Sequence, residues 1–149
     1  MDSGEIILFK NANLVLDGYA ELQRAYDVLV TGDRIAAVSR TALNNNDAKI
    51  IDVGGKTLMP GLIDAHAHIT GLSLSPRNAS YPASEVAVAA ANYLHCSLMD
   101  GFTSIREAGG ADHGIARLLD EGKINGPRLF YSGRALTQTG GGGRFPHAG

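Results

Sequence analysis

Pro60-Gly61-Leu62-Ile63-Asp64-Ala65-His66-Ala67-His68 is the stretch on which the fold turns. The Pro-Gly pair breaks what precedes it, and the apolar pair Leu62-Ile63 starts a strand that runs straight into polar residues. Downstream, residues 82–99 predict a helix. Val86, Ala90, Leu94 and Leu98 recur at four-residue spacing on one stripe. Ser80 or Tyr81 lies just outside it, Pro82 suits an early helical position, and Gly101 suits the stop. Residues 102–105 predict a second strand. Residues 112–121 predict a short helix with Ile115, Leu118 and Leu119 inward, ended by Gly122. Residues 128–132, after Gly126-Pro127, predict a third strand. Strand, helix, strand, helix, strand is the order of a parallel α/β sheet. Such sheets carry their chemistry in the polar, Gly-rich stretches after each strand.

Upstream of Pro60 the pattern differs. Residues 6–9, 13–16, 26–30, 35–38, 49–53 and 56–59 read as short strands, none with helical length or period. Asp17-Gly18 is a tight-turn pair, Thr31-Gly32-Asp33-Arg34 predicts a hairpin, and Gly54-Gly55 predicts a turn. One antiparallel layer is the simple expectation. The chain thus divides into residues 1–59 and 60–149.

Composition narrows the function classes. The chain has 149 residues, 44% of them hydrophobic, so a core is within reach and general disorder is not expected. Lys+Arg 13 against Asp+Glu 15 leaves a net charge of -2, which offers nothing to nucleic acid or an anionic membrane surface. Trp is absent, which argues against stacking platforms for single strands. The lone Cys96 rules out an intramolecular disulfide framework and any all-cysteine metal site; it reads as core filler in the first helix. The N-terminus has neither the basic start nor the apolar run of a signal peptide, so a cytoplasmic protein is expected.

Asp64-Ala65-His66-Ala67-His68 carries the chemistry. A period of two puts His66 and His68 on one face, with Asp64 one step earlier. Two imidazoles so placed suit zinc and its neighbours, although zinc normally takes three or four protein ligands. Two readings stand at this point: a partial metal site, or two histidines satisfied by hydrogen bonds at a polar strand end.

Thr57-Leu58-Met59-Pro60-Gly61-Leu62-Ile63-Asp64-Ala65-His66-Ala67-His68 closely resembles the opening motif of the metal-dependent amidohydrolase superfamily. Gly101-Phe102-Thr103-Ser104-Ile105-Arg106-Glu107 resembles its second barrel strand. Gly126-Pro127-Arg128-Leu129, Ser132-Gly133 and Leu136-Thr137-Gln138-Thr139-Gly140-Gly141 resemble the third, in the branch of prolidase-like Xaa-Pro dipeptidases and arginine/lysine carboxypeptidases. Ochratoxin-type amide hydrolases lie close to that branch. The resemblance implies an α/β fold in which residues 1–59 form the N-terminal part of a small β-sandwich. Residues 60–149 would form the first three strands and two helices of a (β/α)8 TIM-like barrel. It also implies hydrolysis of an amide or peptide bond by a metal-activated hydroxide. His66 and His68 would bind one of two divalent metals, commonly zinc; Asp64, by its spacing on the same face, is a candidate to support them with a hydrogen bond or a charge. A carboxylated lysine bridge, later histidines and a proton-shuttling aspartate would lie beyond Gly149. The implied substrate is a small peptide or N-acyl amino acid, with a homo-oligomer possible.

The chain also departs from that pattern. A barrel of this type takes roughly 250 residues, so the expectation is a piece of a longer polypeptide. Lys123, the single lysine after the histidine pair, sits in a helix-to-strand turn and does not read as the bridge. Relatives commonly carry a histidine and an acidic residue after the third-strand Thr-Gly-Gly; here the stretch is Gly142-Gly143-Arg144. His147 reads as an ordinary surface histidine, with a substitute by loop shift as the other reading, and Arg144 is a candidate to meet a substrate carboxylate with its planar donor fork. Arg106 and Glu107 end the second strand on the catalytic side, to pair with each other, position a loop or face substrate. His95 reads as a packing residue, His113 as a cap or surface group, and 140–143 as a loop without a nucleotide-binding ending. The alternatives are a cyclic-amide hydrolase or deaminase on the same barrel, or a non-catalytic truncated fragment or pseudoenzyme.

Overall fold

A computed structural model describes residues 4–16, 21–72 and 81–134. The chain forms two compact units, Met1–Pro60 and Gly61–Gly149.

In the first unit, β1 (Ile6–Leu14), β2 (Gln23–Thr31), β3 (Arg34–Ser39), β4 (Lys49–Asp52) and β5 (Thr57–Leu58) form one sheet in the order β3-β2-β1-β4, with β5 also on β1. The β2–β3 hairpin turns where the sequence predicts, at Gly32, whose φ of 59° suits glycine. Two expectations are corrected. Residues 6–9 and 13–16 are not two strands; one strand, β1, runs from Ile6 through Leu14 across an irregularity. Asn11 takes that irregularity at a φ of 58°, a conformation asparagine tolerates. Its N–H donates to Asp27 and its side-chain amide to Asp52. The sheet is also mixed rather than antiparallel, because β4 and β5 both run parallel to β1. The Asn-rich loop before β4 brings the chain back in the direction of β1, which no local pattern specifies. Ala12, Leu14 and Val28 are buried, with Phe9, Tyr26, Val30 and Leu58 packed on them. Asp17-Gly18 lies outside the described residues.

In the second unit, β6 (Leu62–Ala67), β7 (Phe102–Glu107) and β8 (Arg128–Tyr131) pair in parallel in the order β6-β7-β8. Helix α1 (Ala83–Met99) connects β6 to β7, and α2 (His113–Asp120) connects β7 to β8. The predicted stripe is the packing face of α1: Ala90 and Leu94 are fully buried, Val86 and Leu98 half-buried. Ala90 and Leu94 meet Ala67, Ile69, Ile105 and Ala111, with Ile115, Leu119, Ile124 and Leu129 around them. Cys96 is exposed rather than core filler, and His95 is exposed rather than packed, because both fall off that stripe. Asp112 caps α2, accepting from the N–H groups of Gly114 and Ile115. Among the described residues no helix is long and apolar enough to cross a membrane.

Candidate metal centre

Parallel pairing puts the carboxyl ends of β6, β7 and β8 at one edge, and the chemistry-bearing side chains gather there. His66 is the last residue but one of β6, and His68 lies just past its end. Both are exposed, while their neighbours Ala67 and Ile69 are buried in the core. The backbone alternation thus turns apolar residues inward and imidazoles outward. The two ring centroids lie 5.1 Å apart, with planes inclined at 78°.

Each histidine is held by a bond to the backbone. Asp64 Oδ1 accepts from the His66 N–H at 3.0 Å, fixing the backbone where the ring emerges. His68 Nδ1 lies 3.2 Å from the carbonyl oxygen of Gly109 in the loop after β7. A carbonyl only accepts, so Nδ1 carries the proton, and in the neutral ring Nε2 keeps its lone pair. That is the tautomer of an imidazole that ligates a metal through Nε2.

Arg106 and Glu107, adjacent in sequence, leave β7 on opposite faces and do not pair with each other. Arg106 is exposed and donates from Nη1 to the Ala65 carbonyl at 2.9 Å, tying β7 to the middle of β6. Glu107 shares the buried face of Ile105 and is 1% exposed. Its Oε2 accepts from the Gly109 N–H at 3.0 Å, and Oε1 makes no hydrogen bond among the described residues. Burial pushes this carboxyl above its usual range. The N–H groups of Ala111 and Gly109 pull it back. The Ala111 N–H favours the charged form without closing a hydrogen bond on Oε1.

The donor chemistry of the histidine pair fits a divalent cation such as zinc. Two imidazoles face solvent together, one with its free nitrogen specified by a backbone carbonyl. Among the described residues no third His, Cys, Asp or Glu completes the set. Lys123 is engaged with Glu121 at 2.7 Å, at the turn after α2. Arg144, His147 and residues 140–143 lie outside the described residues. The sequence leaves Glu107 with several possible roles; its burial singles it out. The neighbouring Gly109-Gly110, which lets the backbone fold over the carboxylate, is the local signal that could have found it.

The model of the amidohydrolase family matches residues 57–147, more than half of the chain. The adenine deaminase of Desulfatibacillum aliphaticivorans is 44% identical over 71 residues, 47% of this chain and 11% of the deaminase. The ochratoxinase of Aspergillus niger is 37% identical over 91 residues, 58% of this chain and 19% of the ochratoxinase. The crystal structure of a prolidase complexed with N-methylphosphonate-L-proline is 38% identical, with a TM-score of 0.85 over 91% of this chain. The chain spans 34% of that prolidase structure, about a third of its length.

Proposed function

The chain belongs to the amidohydrolase family, and from that premise we propose that it supplies the opening strand of a metal-dependent active site that hydrolyses an amide bond. The observation that carries this reading is the His66–His68 pair, side by side at the carboxyl end of β6 with the His68 proton placed on Nδ1. In this reading residues 1–59 are the N-terminal part of a β-sandwich and residues 60–149 the first β/α units of a (β/α)8 barrel. Exposed Ile63, at 70%, and Phe130, at 57%, support it: parallel strands are usually covered on both faces.

His66 and His68 would hold a divalent ion, zinc in this proposal, with the remaining ligands supplied from outside the described residues. Such an ion, when bound, supplies Lewis acidity and lowers the pKa of water. This chain's own residues set the geometry. The Asp64 carboxylate fixes the backbone at His66, the Gly109 carbonyl orients His68, and Arg106 holds β7 against β6. The substrate class we favour is a small peptide or N-acyl amino acid, supported by the likeness to an ochratoxinase and a prolidase. The likeness to an adenine deaminase supports a second reading, a deaminase or cyclic-amide hydrolase on the same scaffold.

The test is metal analysis of the complete polypeptide, followed by assay with Xaa-Pro dipeptides, N-acyl amino acids and adenine. We expect bound divalent metal that is lost in His66→Ala and His68→Ala, with hydrolysis of the first two substrate types. Metal content unchanged by either substitution removes the pair from the site. Turnover of adenine alone transfers the activity to the second reading.

A further inference from the structure

The turn after β7 is tied down at three consecutive N–H groups. Ala108 donates to the Ala67 carbonyl at 2.9 Å, Gly109 to Glu107 Oε2 at 3.0 Å, and Gly110 to the Gly133 carbonyl at 2.8 Å. Two of these acceptors are backbone; Glu107 is the side chain among them. The peptide between Gly109 and Gly110 is bonded at both ends, its carbonyl accepting from His68 and its N–H donating to Gly133. Bonds in series polarise one another, which strengthens the carbonyl as an acceptor.

A buried carboxylate with one oxygen unbonded is costly, and an apolar side chain would suit this core position better. The geometry assigns it a purpose. We infer that Glu107 is a positioning residue for His68. It holds Gly109 so that the Gly109 carbonyl takes the Nδ1 proton of His68, leaving Nε2 as the ligating nitrogen. Without that hold, Gly109 keeps only its flanking backbone ties, and glycine there has wide conformational freedom. The carbonyl then drifts, and neither imidazole tautomer is favoured. Glu107 touches neither substrate nor metal in this arrangement and acts through Gly109. The consequence for metal affinity rests on the proposed hydrolase site; the tautomer assignment stands on its own.

The test reads the imidazole nitrogens of the 15N-histidine-labelled full chain without metal, at about pH 8.5, where imidazole is neutral. In the wild type the His68 proton is expected on Nδ1; a proton on Nε2 overturns the inference before any variant is made. Glu107→Ala removes the carboxylate and Glu107→Asp draws it back by a methylene. Both are expected to mix the tautomers of His68, leave the His95 signals in place, and lower zinc affinity about 10–100-fold. Glu107→Gln keeps an oxygen for the Gly109 N–H and is expected to restore both the Nδ1 proton and the affinity. An unmoved His68 in folded Glu107→Ala or Glu107→Asp, or mixed tautomers in Glu107→Gln, overturns the inference. If Glu107→Ala does not fold, the other two variants decide. A wild type that binds no zinc defeats the hydrolase reading alone. A wild type that binds zinc, with His68 indifferent to position 107, defeats only the role of Glu107.

Discussion

His68 donates from Nδ1 to the carbonyl oxygen of Gly109, 3.2 Å away and 41 residues further along the chain. The bond joins the end of β6 to the loop after β7, so the candidate ligand is oriented by a neighbouring strand rather than its own. Parallel pairing makes this possible, because consecutive β/α units bring their post-strand loops to the same edge.

Gly110 sits at a φ of 127°, and a side chain there would run into Thr70 Oγ1. Gly110→Ala is expected to cost about 1–3 kcal/mol in backbone strain, with overlap added. Thr70→Ala in the same chain should recover the overlap but not the strain. Urea unfolding of the single and double variants measures both, and a strictly additive pair would show that the two residues do not meet.

Leu94 is fully buried between the sheet and Gly126, whose added Cβ would lie 2.8 Å from Leu94 Cβ. Leu94→Ala should therefore destabilise the second unit by about 2–5 kcal/mol. Val88→Ala, on the exposed side of α1, should change stability by at most about 0.5 kcal/mol. Equal losses in thermal unfolding would mean that the stripe does not define the packing face.

Asp112 accepts at 2.9 Å from Gly114 and 3.3 Å from Ile115 at the start of α2. Asp112→Ala is expected to cost about 1 kcal/mol, and Asp112→Asn much less, since asparagine caps comparably. The exposed neighbour His113 should tolerate alanine. Chemical denaturation of the three variants orders them.

Asp52 accepts from the Asn11 side chain at 2.9 Å and from the Gly54 N–H at 2.8 Å. The Asn11 bond foremost, then the Gly54 bond, holds its carboxyl below the ordinary value of 3.8. The folded state thus prefers the charged form. The stabilisation is present above pH 3.8 and is lost as pH falls through the lower folded value. The difference in melting temperature between wild type and Asp52→Asn should narrow as pH drops below 3.8 and stay constant above it. A gap that widens on acidification would contradict this linkage.

The α/β order of the second unit is readable in the sequence because its determinants are local. The four-residue stripe of Val86, Ala90, Leu94 and Leu98, the stop at Gly101 and the cap at Asp112 each act within one helix. The same local rules mislead at Asn11. Its positive φ lets one strand continue where two seem to be separated, and the acceptors that support it, Asp27 and Asp52, come from two other strands. Cys96 and His95 are similar: apolar surroundings in sequence suggest burial, but the rotation of α1 on the sheet leaves both in solvent.

The alternation of strands and helices in the second unit, the glycines that end the helices, and the place of two histidines at a strand's carboxyl end can all be read along the chain. Those follow from periodicity and turn chemistry within a few residues. Long-range packing sets the rest: β4 and β5 run parallel to β1, Glu107 is buried while Arg106 is exposed, and the Gly109 carbonyl meets His68. The difference is one of range: a residue's neighbours in the chain fix its backbone conformation, whereas burial and hydrogen-bond partners depend on segments tens of residues away.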